Sequence, residues 1–241
     1  MLQIKKISVG VLPINKMFRI QAGWGEVVDA ILASRNKPPL TADFFKGVQT
    51  SAGRDQFILR NDDTGTAFSL GIESIVFTKQ SYDTDIGVNV DKFMEEFLFL
   101  WAIVQKKVQV TDIRRIGIVA EHRIYNESNP SKKLISKLLR IGAPDNPAKF
   151  NLSFEKRLSA DGGIIDLANG KFINIIQSIY DSSLDADHPE ENAINCNLDV
   201  QKYFSPLLSR NETDEFKIMR RKFEEQWRGF QDELKSLGFY L

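Results

Sequence analysis

The sequence predicts an α+β fold: antiparallel sheet with helices packed mainly on one face, arranged in what reads as two similar helix–meander–helix halves. Three observations carry this expectation. A helix, a meander of alternating strands and a long amphipathic helix follow one another from about Trp24 to Lys107, and again from Ser131 to Leu237. Turn sequences at Asn61-Asp62-Asp63-Thr64-Gly65, Asp161-Gly162-Gly163 and Asn169-Gly170 punctuate runs of period-two alternation. Each long helix carries an apolar stripe at steps of three and four residues, as expected for a helix that packs on a sheet.

Ile7, Val9 and Val11 alternate with smaller or polar residues and make a first strand. Val27, Val28, Ile31 and Leu32 recur at helical spacing behind Gly23-Trp24-Gly25, and Pro38 and Pro39 stop that helix near Asn36. Phe44 to Thr50 reads as a strand, and Gln56 to Arg60 and Thr66 to Phe77 flank the first turn as a hairpin. Phe68, Leu70 and Ile72 share a face. The phase then shifts at Ser74, which predicts a bulge or burial on both sides. Asn89 caps a long helix that turns Phe93, Phe97, Leu100, Trp101, Val104 and Val108 inward. Ile113 to Ile124 is a strand with Ile116, Ile118, Ala120 and His122 on one face and Arg115, Gly117, Val119, Glu121 and Arg123 on the other.

Tyr125 to Pro130 reads as the boundary between an N-terminal α+β half, residues 1–125, and a C-terminal α+β half, residues 131–241, within one compact unit. Ser131 is placed to cap a helix carrying Leu134, Ile135, Leu138 and Leu139. Phe150, Leu152 and Phe154 alternate in a half-buried strand. Ile164 to Leu167 and Phe172 to Tyr180 follow as strands, and in the last strand Ile194, Cys196, Leu198 and Val200 alternate with Asn195, Asn197, Asp199 and Gln201. Phe216, Met219, Phe223, Trp227, Phe230, Leu234 and Leu237 define the final helix, with Glu212, Asp214 and Glu215 at its positive N-terminal end. No residue-level identity links these two halves, so duplication is a reading of shape alone.

Composition narrows the function. The 32 basic and 32 acidic residues give zero formal charge, so no global field draws in nucleic acid or anionic membrane, and self-association is unopposed. A single cysteine, Cys196, excludes an intramolecular disulfide and fits a reducing compartment. No apolar run reaches the roughly 18–20 residues of a membrane span, and a cytoplasmic protein is expected. Nucleophile-elbow, zinc-protease, P-loop and paired Cys-x-x-Cys motifs do not occur. No catalytic residue and no cofactor is assigned.

The candidate sites each compete with a plainer reading. Trp24 between two glycines, and the Phe223, Trp227 and Phe230 seam, are candidate interface residues; core packing is the alternative. Lys132, Lys133, Lys137 and Arg140 are candidate nucleic-acid contacts, with Lys217, Arg220, Arg221 and Lys222 as a second basic group; solvated helix faces are the alternative. Asp185 and Asp187 are weak metal candidates in an acidic loop that lacks EF-hand spacing. His122 and Cys196 lie on apolar strand faces, where burial is the default.

Arg115-Ile116-Gly117-Ile118 follows the first long helix, and Asn197-Leu198-Asp199-Val200 precedes the last. This order resembles a sporadically distributed family of uncharacterised prokaryotic proteins of similar length. Val119-Ala120-Glu121 stands where that family continues with polar Arg or Asn. The resemblance implies no activity, and patchy distribution implies mobile or defence-related multi-gene loci. The leading expectation is a non-catalytic interaction or assembly component whose partner is itself or another protein, an oligomer without membrane attachment. A nucleic-acid-binding protein using the basic helices is the second expectation, and a metal-dependent hydrolase with dispersed acidic residues is the third.

Overall fold

The computed structural model describes residues 3–50, 55–83, 86–125, 129–139, 147, 149–159, 165, 172–182, 192–208 and 212–239. The chain runs β1 (Lys6–Pro13), α1 (Phe18–Ala22), α2 (Trp24–Ala33), β2 (Gly47–Thr50), β3 (Gln56–Asn61), β4 (Thr66–Gly71), β5 (Ile75–Gln80) and α3 (Val90–Val108). It continues with β6 (Ile113–Tyr125), α4 (Pro130–Leu134), β7 (Asn151–Ser159), β8 (Phe172–Asp181), β9 (Ala193–Leu208) and α5 (Glu212–Ser236). The nine described strands form one sheet in the order β2-β3-β4-β5-β1-β6-β9-β8-β7, and every pairing among them is antiparallel. An α+β fold with antiparallel sheet is therefore present. None of its described helices is long and apolar enough to cross a membrane.

The local chemistry explains most boundaries. Gly65 takes φ +61° in the β3–β4 turn, where a Cβ would lie 2.1 Å from the Gln80 carbonyl oxygen, so only glycine fits. The Asn89 side chain accepts from Lys92 N at 3.0 Å and caps α3. The phase change at Ser74 is not a bulge. β4 ends at Gly71, and a tight turn closed by Gly71 N–H to Ser74 O at 2.8 Å starts a separate strand. Nor does Ser131 cap α4: Asn129 does, because Pro130 occupies the first helical turn, and the buried Ser131 hydroxyl donates to Asp181 instead. After Leu134 the helix loosens into a π turn over Ile135–Leu139. The Asp161-Gly162-Gly163 and Asn169-Gly170 turns, and all of the Ile164–Leu167 run but Ile165, lie outside the described residues.

Alternation builds the core. Val9 pairs with Phe77 on one side and Ile118 on the other, Ile118 pairs with Val200, and Val200 with Ile175. All five side chains are buried on one face of the sheet. α3 meets that face where Phe93 stacks on Phe77 at 5.0 Å, and α3 joins α5 where Phe97 meets Phe216 edge-to-face at 4.9 Å. Fully burying one such ring is worth roughly 1.5–3 kcal/mol. Two ion pairs tie strands to the long helices: Lys79 to Glu96 at 2.8 Å and Lys202 to Glu215 at 2.5 Å. The edge strands lack such cover; Val48 of β2 and Phe154 of β7 are both 57% exposed. Phe154 was expected in a half-buried strand; its position on an outermost strand leaves it solvated.

Candidate functional site on the polar face of the sheet

Period-two geometry sends Ile194, Cys196, Leu198 and Val200 of β9 into the core, and Asn195, Asn197, Asp199, Gln201 and Tyr203 to the opposite face. There they lie beside Arg115, Gly117, Val119, Glu121 and Arg123 of β6. The segments Arg115–Ile118 and Asn197–Val200 lie on neighbouring strands and share one pair, Ile118 with Val200; Gly117 faces Gln201, and Asp199 faces Val119.

Their polar groups form a ladder. Arg115 Nη1 donates to Gln201 Oε1 and to the Tyr203 hydroxyl oxygen, each at 3.1 Å, and the guanidinium lies 5.6 Å from the Tyr203 ring centroid. The Tyr203 hydroxyl donates to Gln201 Oε1 at 2.9 Å, and Gln201 Nε2 donates to Asp199 Oδ2 at 2.5 Å. Further along, Asn197 Nδ2 donates to the Tyr180 hydroxyl oxygen at 3.1 Å, and that hydroxyl donates to Glu121 Oε2 at 3.2 Å. Arg123 Nε completes the run on Glu121 Oε1 at 2.7 Å. Burial pushes the Asp199 carboxyl above its ordinary range, with Gln201 and Arg115 offsetting part of the effect. Burial and the Glu121 charge push the Tyr180 phenol up.

Among the described residues, the Oδ1 atoms of Asn174, Asn195, Asn197 and Asp199 on this face are buried and meet no donor. Asn174 pairs with Gln201 across β8–β9, so it shares the face. The floor beside Asp199 is bare. Gly117 pairs with Gly10, and a Cβ on Gly117 would make only ordinary contacts, 3.6 Å to Gln201 Cγ and 3.9 Å to Asp199 Oδ1.

The sequence-derived candidates fall elsewhere. Phe223, Trp227 and Phe230 are buried, at 1%, 6% and 3% exposure, and pack in the core, so the seam is not a free stripe; the outward-facing edges of Phe223 and Trp227 line a groove. Trp24 is half-buried against Phe57 at 5.8 Å, and its indole N–H has no acceptor. Lys132 is exposed and Lys133 half-buried, whereas Lys137 Nζ donates to the Gly238 carbonyl at 2.8 Å and lies over Phe239. Arg140, Asp185 and Asp187 lie outside the described residues. Lys217, Arg220 and Lys222 are each ion-paired to acidic side chains.

His122 and Cys196 pair directly across β6–β9. Burial pushes the thiol up to about 12 and the imidazole down, while His122 Nδ1–H donates to the Gln3 carbonyl at 2.7 Å. Both are neutral near pH 7, and the pair holds no thiolate. Among the described residues no group of three His, Cys, Asp or Glu side chains is placed to hold a metal ion.

Sequence reasoning missed Tyr180, Glu121, Gln201 and Tyr203 as a set. The polar alternation of β9 was visible, but its meeting with β6 requires the register. No known protein-family model matches the chain, and no curated protein matches it significantly.

Proposed function

We propose that the protein is a non-enzymatic interaction component that self-associates through the polar face of β6, β9 and β8. The observation that carries this reading is the ladder of linked polar side chains on that face, running from Arg115, Tyr203, Gln201 and Asp199 to Tyr180, Glu121 and Arg123. The ladder carries both signs, Arg115 and Arg123 with Asp199 and Glu121, so it is self-complementary in a two-fold contact. Val119, 37% exposed at its centre, adds an apolar contact. A lone buried cysteine suits a cytoplasmic setting. The basic-helix reading is weaker, because Lys137 is engaged by a helix end and Lys217, Arg220 and Lys222 by carboxylates. Membership in the sporadic prokaryotic family remains part of the proposal, supported by the placement of its two motif segments on neighbouring strands that share the Ile118–Val200 pair.

We also infer that the chain holds two copies of one strand–helix–meander–helix unit packed with their helices on one side. The unit boundary then falls between α3 and β6, not at Tyr125–Pro130. Three observations support it. Val9 and Ile118 pair with each other and each flanks the last meander strand, at Phe77 and Val200. At that offset Lys5-Lys6-Ile7-Ser8-Val9 matches Arg114-Arg115-Ile116-Gly117-Ile118. Lys79 and Lys202 occupy equivalent positions, each paired to a glutamate followed by phenylalanine, and those phenylalanines, Phe97 and Phe216, touch.

Native mass spectrometry of the full chain at low and moderate salt tests the contact. The expected result is a discrete oligomer that dissociates in Asp199→Lys and persists in Val76→Lys, the equivalent position of the other unit. A monomer at both salts, or an oligomer indifferent to Asp199→Lys, defeats the reading.

A further inference from the structure

We propose that the groove between α5 and the start of α3 binds an aliphatic carboxylate, its chain lying along the groove floor and its head on Arg228. The groove has a volume of ≈ 710 Å³, within the roughly 300–1,000 Å³ typical of small-molecule sites. Ile4, Val88, Val90, Phe223 and Trp227 supply its apolar wall. Trp227 is held rigidly, stacked on Phe223 at 6.1 Å and edge-on to Phe230 at 6.2 Å. Its indole N–H has no described acceptor, and it is not sealed from solvent as those of Trp24 and Trp101 are.

Charge sets the head group. Among the described lining residues only Glu224 and Arg228 are charged. Glu224 is matched by Arg220 at 2.8 Å, whereas Arg228 meets only the Glu224 backbone carbonyl, at 3.4 Å, and has no described carboxylate partner. A guanidinium and an indole N–H that line one groove, neither with a described anionic or acceptor side chain, call for a planar anion that accepts several hydrogen bonds, which a carboxylate does. The positive end of the 19-residue α3 helix opens on the same groove through Asn89 and Val90 and adds to the attraction. A straight alkyl chain suits the wall, which presents aliphatic and aromatic carbon with few polar groups.

The test uses the full chain with octanoate and 1-octanol as probes, followed by calorimetry and tryptophan fluorescence. Octanoate is expected to bind saturably and to change the fluorescence, and Trp227→Phe to remove that change. Arg228→Gln, at an exposed position, is expected to weaken octanoate roughly tenfold and to leave 1-octanol binding and thermal stability unchanged. Absence of saturable octanoate binding, equal affinity in Arg228→Gln, or a fluorescence response that survives Trp227→Phe overturns the proposal. The site is separate from the polar sheet face, so Asp199→Lys is expected to bind octanoate as the unaltered chain does; loss there would also count against it.

Discussion

The β5–β1 and β6–β9 sides of the sheet are alike underneath and unlike above. Beneath, Val9 and Phe77 on one side match Ile118 and Val200 on the other, and each side carries a Lys–Glu pair to a long helix. Above, the first side offers Ser8, hydrogen-bonded to Thr78 at 2.8 Å, with Val76 beside it. The second side places Gly117, Gln201 and Asp199 at those positions, with Arg115 and Tyr203 at the ends. The first side, whose charged residue Lys6 stands at the strand end, shows what the sheet needs in order to form: alternation, small outer residues and a satisfied hydrogen bond. The second side carries a raised carboxyl and oxygens that meet no donor among the described residues, which the sheet does not need. Such costs mark where a function beyond folding is to be sought.

The largest difference expected between the two sides lies in their shared device. Glu96 is 1% exposed at its side chain, whereas Glu215 is 23% exposed. Lys79→Met strands a dry carboxylate and is expected to cost roughly 3–5 kcal/mol. Lys202→Met leaves a carboxylate that water can reach, at a cost of roughly 1–2 kcal/mol. Urea unfolding of both variants gives the ranking. Adding Glu96→Leu to Lys79→Met is expected to restore most of the loss, since an apolar pair replaces a stranded charge. Equal losses in the two single variants break the burial account of the difference.

Asp199 gives a smaller effect with a sign set by pH. Its folded carboxyl is raised above the unfolded one, so the unfolded chain gives up this proton first. Ionising Asp199 therefore lowers stability as pH rises from the ordinary Asp range, about 4, through the folded value. Asp199→Asn is expected to raise the melting temperature at pH 7, and the gain is expected to vanish below about pH 4. If the polar face is the contact surface, the same variant weakens the oligomer. A gain in stability joined to a loss of assembly separates a functional carboxylate from a structural one. A variant less stable at pH 7 would show that Gln201 and Arg115 outweigh burial.

Much of the fold could be read from residue spacing, and little of the site could. Asn61 to Gly65 announced its hairpin because φ > 0 demands glycine, and Phe216 to Leu234 announced α5 because helical period and burial agree. α1 was missed: Phe18 to Ala22 is a single turn with only Ile20 buried, too short for a period to show. Phe154 was misjudged because alternation reports which way a side chain points, not whether a neighbour covers it. Arg115 and Asp199 stand 84 residues apart in the chain. Each drew notice within its own segment, but only the β6–β9 register joins them. The register also exposes the match between Lys5-Lys6-Ile7 and Arg114-Arg115-Ile116, which is too short to stand out in the sequence alone.

The smallest effect is expected where the first side is changed. Ser8 and Thr78 exchange one hydroxyl hydrogen bond on a half-buried surface, so either partner left alone can turn to water. A net hydrogen bond of this kind is worth about 0.5–1.5 kcal/mol, and Ser8→Ala is expected at the low end of that range. Ser8→Ala with Thr78→Val removes both polar groups together and is expected to be near neutral, because no acceptor is stranded. Neither variant is expected to change the mass distribution that native mass spectrometry gives for the unaltered chain. Dissociation by Ser8→Ala alone would mean that the contact extends across Gly10 and Gly117 onto the first side. The two sides would then differ in chemistry but serve one surface.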